Sequence, residues 1–265
     1  MHNKVIKYYG KKIVIDNVEF NLEKGVTLIL GENGSGKTTL LKILAGLIKK
    51  YEGYVECGDD VSLLLDSQTL YNFKSGQENI YLFLDKSEQK IASKYISALN
   101  MNGYINKMVN SYSNGMKKKL ALVIALSKNK KYLLLDEPTN SLDIDSVYLL
   151  KKILLDLKEK RVIVIVSHDI SIFDIHLIDT IYKIKDSKLV SLSTSDLNYK
   201  YYKIKTLNAI FESKYEYESK DGFYYFKILD GQLADFSREI SKYLIVEMNQ
   251  ANYLDDIYMR GLYND

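Results

Sequence analysis

The sequence predicts an α/β protein built on a parallel sheet, followed by a small α+β unit. Three observations carry this. Short β-branched or leucine-rich runs recur with helical segments between them: KVIKYY, VTLIL, VSLLL, YLLLD and VIVIVS. Several are apolar throughout rather than alternating, as expected of parallel strands covered on both faces. Near residue 195 the pattern changes, and residues 201–265 hold 8 basic and 11 acidic residues in short strand-like and helical pieces. The expected division is 1–195 and 196–265. In the second part the pattern predicts strands near 201–207 and 215–229, the latter turning at Asp221-Gly222. A helix near 231–243, a strand IVEM and a final helix from Tyr253 follow.

Composition narrows the function classes. A chain of 265 residues can bury one sizeable core and a smaller second one. Its 37 basic and 34 acidic residues leave a formal charge of only +3, no field that by itself implies nucleic acid or an anionic membrane. The single cysteine, Cys57, excludes an intrachain disulfide and fits a reducing compartment, so cytoplasm is the expected location. No apolar run approaches the roughly 18 residues of a membrane span, and MHNKVIKYYG lacks a signal peptide's apolar segment. The 23 tyrosines read as compositional bias.

The chemistry collects at strand ends, where ligands of open parallel sheets bind. VTLILGENGSGKTTLLKILAG fits G-x-x-x-x-G-K-[ST] from Gly31 to Thr38, between a strand and an amphipathic helix. Gly31, Gly34 and Gly36 let the backbone wrap closely, so that N–H groups along Asn33, Ser35 and Thr39 converge on phosphate oxygens at a helix N-terminus. Lys37 is placed to reach the outer phosphates, and Thr38 to offer its hydroxyl to Mg²⁺. In KYLLLDEP, Asp136 ends a buried strand and supplies the hard oxygen that magnesium requires. Glu137, one residue on, points elsewhere and is placed to polarise an attacking water. In VIVIVSHD, His168 emerges from another buried strand, within reach of a terminal phosphate and of Glu137. A second anion-ready helix start lies in SYSNGMKKKLALVIAL, with Ser113 at the cap. The lysines at 117–119 behind it read as a solvated helix face.

Taken in order, GENGSGKT, YSNGMKKKL, LLLDEP, SLD at 141–143 and SHD resemble the ATP-binding cassette (ABC) ATPases across about the first 195 residues. The resemblance implies a P-loop core with a helical subdomain over about 68–125, ATP and Mg²⁺ as cofactors, and a second subunit as partner. YSNGM resembles the family's LSGGQ signature, which implies that Ser113 and Gly115 touch the nucleotide held by that second copy. Asn114 and Met116 depart from the pattern. Tyr9 matches the aromatic that stacks on adenine, and Asp143 matches the loop crossing the dimer interface. Aligning VSLLLDSQTLY places Asp66, rather than Gln68, where the family has a glutamine touching metal and lytic water.

The expected function is therefore the ATPase subunit of an exporter of drugs, antibiotics or peptides. Export is suggested by YLDDIYMRGL, which resembles the end of the C-terminal domain of such ATPases. The resemblance further implies a separate membrane permease and a peripheral position on the inner face of the membrane. The alternative is a soluble ABC ATPase acting on ribosomes or nucleic acid. Such proteins generally carry two cassettes or a long coiled-coil insertion, and neither is seen, so no nucleic-acid partner is expected.

Overall fold

The computed structural model describes residues 2–65, 70–168, 177–192, 199–207, 213–215, 217–220, 222–229 and 232–251. The chain divides into two compact units, Met1–Leu192 and Ser193–Asp265. The first runs β1 (His2–Tyr9), β2 (Lys12–Asn21), β3 (Gly25–Leu30), α1 (Lys37–Leu44), β4 (Glu52–Tyr54), β5 (Val61–Leu64), α2 (Gly76–Phe83), α3 (Lys86–Ala98), α4 (Asn114–Ser127), β6 (Tyr132–Asp136), α5 (Ile144–Lys158), β7 (Val162–Ser167), β8 (Thr180–Lys185) and β9 (Lys188–Leu192). The second holds β10 (Tyr199–Thr206), β11 (Tyr217–Lys220), β12 (Phe223–Leu229), α6 (Leu233–Ile240) and β13 (Ile245–Ala251).

Among the described residues, six strands form a sheet in the order β5-β6-β7-β3-β8-β9. All neighbours are parallel except β8 and β9. The central strands β3, β6 and β7 are buried at every position, as their uninterrupted apolar sequences require. Burial of both faces leaves only the strand ends open to a ligand. KVIKYY is a strand, but it belongs to a separate antiparallel sheet of order β2-β1-β4. That sheet sends Val5, Ile15, Val18 and Phe20 into the same core as Leu40, Leu41 and Leu44 of α1 and Val164 of β7. It thereby brings the end of β1 close to the start of α1.

A second core, containing Ile80, Ala92, Ile96, Val109, Leu120 and Val123, joins α2, α3 and α4. The boundaries of α2 and α3 follow from capping boxes. Ser75 accepts from the Glu78 N–H and Asp85 from that of Glu88, while each glutamate side chain returns a bond to the cap's own N–H. Within the second unit the antiparallel order β11-β12-β10-β13 carries Ile204, Phe226 and Ile228 on one face. Phe236 and Ile240 of α6 pack against them. The helix expected from Tyr253 lies outside the described residues.

Candidate nucleotide site

The turn between β3 and α1 builds the floor of the site. Gly36 caps α1 at φ 105°, a left-handed conformation that glycine adopts without steric cost. A Cβ at Gly36 would sit 3.0 Å from the Val14 carbonyl oxygen, so a side chain would also push the turn off β2. The start of α1 has no side-chain cap and no acidic residue in its first turn. Its leading N–H groups and dipole are therefore available to an anion.

Lys37 is buried, and its Nζ donates to the carbonyls of Gly31 at 2.5 Å and Glu32 at 2.9 Å. Burial pulls its pKa down, opposed by the carboxylates of Glu137, Asp136 and Glu32. The Thr38 hydroxyl donates to Asp136 Oδ2 at 2.8 Å, so two oxygen donors from different elements already meet at the end of β6. Magnesium takes hard oxygen ligands of this kind, and the pair fits it.

Glu137 begins the next turn at φ 44°, a conformation few non-glycine residues adopt. Its N–H still bonds the Val166 carbonyl at 3.0 Å, but its carboxylate is held by the next strand's end. Ser167 donates to Oε2 at 3.2 Å, and His168 Nδ1 lies 3.0 Å from Oε1. An Nδ1–H donated to Glu137 leaves Nε2 for a second partner. Lys37 Nζ is 3.9 Å from the same Oε1. A cleft of 520 Å³ collects Tyr9, Asn33, Gly34, Gly36, Lys37, Thr38, Thr39, Glu137 and His168 on its wall, together with Val14 and Asn140. Gly31 and Ser35 lie in the turn beneath, where a Cβ on Gly31 would come 2.6 Å from Ser35 Oγ.

Residues 15–140 match the family described as ABC transporter. The lantibiotic transport ATP-binding protein SrtF of Streptococcus pyogenes is 33% identical over 198 residues, covering 69% of this chain and 86% of the relative. The chain belongs to the ABC transporter ATP-binding proteins. The aliphatic sulfonates import ATP-binding protein SsuB 1 of Shouchella clausii is 33% identical over 201 residues, covering 73% of this chain and 79% of its own. A solved structure described as an ATP-binding subunit of an ABC transporter superposes with a TM-score of 0.67 at 18% identity. That match covers 75% of this chain and 92% of the other, and shows the fold. The protein is thus an ATP-binding, ATP-hydrolysing subunit of ABC type. Among the described residues no helix is long and apolar enough to cross a membrane.

The two signature residues, expected at the nucleotide of a second copy, lie outside this chain's own cleft. Ser113 caps α4, its Oγ accepting the Met116 N–H at 3.2 Å, and neither it nor Gly115 belongs to the cleft wall. Gly115 packs so closely on the loop before α5 that a Cβ there would sit 2.6 Å from the Ser141 carbonyl oxygen. Asp66 and Gln68 lie outside the described residues. Val14, Asn140 and Ser167 escaped the sequence reading. Val14 and Ser167 sit in strands β2 and β7 and Asn140 in the turn before α5, with no local motif that marks them.

The lysine run is a correction. Lys118 is buried and donates to the Asp136 carbonyl at 3.3 Å, while Lys119 pairs with Asp143 at 2.8 Å. That hydrogen bond, with others from Ser146, holds the Asp143 carboxyl well below its usual range. Three successive helical positions span about 200° of the circumference, so on a largely buried helix they cannot all face water. The run ties the start of α4 to the end of β6 and the cap of α5.

Proposed function

We propose that this subunit hydrolyses ATP in pairs and drives an exporter of drugs, antibiotics or peptides through a separate permease. The observation that carries the pairing is a division of labour. Lys37, Thr38, Glu137 and His168 line one cleft, with Asp136 bonded to Thr38 at 2.8 Å, whereas the signature residues Ser113 and Gly115, at the start of α4, are not part of its wall. Each cleft then needs the signature helix of a second copy to close it. This agrees with the family's general habit of dimerising and working with a permease.

In this reading Tyr9 stacks on the base, and the N–H groups at the start of α1 with Lys37 hold the phosphates. Thr38 and Asp136 hold Mg²⁺, which when bound neutralises charge on the phosphate oxygens. Glu137 orients water for in-line attack, while Ser167 and His168 fix its carboxylate and the His168 ring meets the terminal phosphate. Ser113 and Gly115 of the second copy complete the charge stabilisation, and closure of the pair is transmitted to the permease.

For direction, the relatives include one for lantibiotic transport and one for sulfonate import at equal identity. The sequence YLDDIYMRGL at 253–262 favours export through its resemblance to the end of exporter C-terminal domains. The test is transport by this subunit assembled with its membrane permease. In inside-out membrane vesicles, external ATP should drive a labelled peptide or drug into the lumen. Accumulation only in right-side-out vesicles loaded with ATP would contradict export.

A further inference from the structure

Lys7 is a buried cation that no part of the mechanism uses. It lies two residues before Tyr9 on β1, where the pairing with β2 shifts register. Its residue is 6% exposed, against 51% for Tyr9. The ammonium donates to the Lys50 carbonyl at 2.6 Å and lies over the Tyr9 ring, 4.6 Å from its centroid. Tyr9 is on the cleft wall and Lys7 is not. The aromatic ring therefore stands at the boundary between a fixed, desolvated cation and the open cleft.

We propose that Lys7 is a positioning residue for the purine base, its ammonium fixing the Tyr9 ring and polarising it. A cation over one face of an aromatic ring draws π-density toward itself, most strongly where water is excluded. The ring is left electron-poor toward a base stacked on it, which favours the electron-rich face of a purine. The hydrogen bond to Lys50 holds the ammonium, and the ammonium in turn holds the ring, so the stacking platform is formed before nucleotide arrives.

This rests on Tyr9 being the base-stacking residue, and the test separates the two ideas. The full-length protein is titrated with MgATP and with magnesium tripolyphosphate, which offers the phosphates but no base. Lys7→Met should weaken ATP binding about threefold to tenfold and leave tripolyphosphate binding unchanged. Lys7→Arg, which keeps the cation, should bind ATP within about twofold of the parent. In a Tyr9→Leu background, Lys7→Met should cost nothing more, because the ring through which it acts is gone. Equal weakening of both ligands by Lys7→Met would make Lys7 a structural strut and overturn the proposal. Unchanged ATP binding in Lys7→Met, with Tyr9→Leu weakened, would overturn the role of Lys7 alone. Unchanged ATP binding in Tyr9→Leu would remove the stacking role and this proposal with it.

Discussion

Glu137→Gln should lower ATP turnover by at least about 100-fold while leaving ATP binding intact. The substitution is nearly isosteric, and an amide oxygen at 137 still accepts from Ser167, whose hydroxyl lies 3.2 Å away. The φ of 44° disfavours glutamine no more than glutamate, so the fold should survive. What disappears is the negative charge that His168 Nδ1 approaches at 3.0 Å and that Lys37 faces at 3.9 Å. In the proposed mechanism water is then neither polarised nor relieved of its proton, and nucleotide should stay unhydrolysed between two paired copies. With ATP the variant should elute from a sizing column as a stable dimer, whereas the parent under turnover should not. Full turnover in Glu137→Gln would remove Glu137 from the reaction.

Lys37→Ala should act on the earlier step. The ammonium now donates to the Gly31 and Glu32 carbonyls, which hold it at the mouth of the turn ready for phosphate. Charge-assisted hydrogen bonds of this kind contribute about 1.5–3 kcal/mol each, so losing one to nucleotide should weaken ATP binding by about 10- to 100-fold. The alanine also leaves Glu137, Asp136 and Glu32 without the cation that offsets their mutual repulsion, and the empty turn opposes an incoming triphosphate more strongly. Titration of ATP at low salt measures both effects together. Parental affinity in Lys37→Ala would contradict the assignment of the phosphates to this turn.

How much of this could be read from the chain depends on how local each cause is. The phosphate turn from Gly31 to Thr38 is a local device, because its spacing, its glycines and its flanking strand and helix are contiguous. The buried strands β3, β6 and β7 are equally visible, since burial on both faces leaves no polar position to confuse the pattern. From these, the placement of Lys37, Thr38, Asp136, Glu137 and His168 near one sheet edge follows, and the structure lines one cleft with Lys37, Thr38, Glu137 and His168 while Asp136 bonds Thr38.

The less legible features have distant causes. The antiparallel pairing of β1 with β2 and β4 depends on partners up to residue 54, and β2 mixes buried and exposed positions where a parallel strand would be uniform. β8 and β9 are interrupted by Lys183, Lys185 and Lys188, which weakens any apolar run. Lys118 looks solvated in its own segment, and its burial is decided by a carbonyl 18 residues away. Ser167 becomes meaningful only once Glu137 is known to turn toward it.

The pairing of two copies is tested most directly by ATP turnover per chain measured across dilution, with nucleotide and magnesium saturating. If each copy completes the other's cleft, specific activity should fall as the chains separate and should approach second-order dependence on protein. Undiminished turnover per chain at dilutions where sedimentation shows only monomer would contradict it.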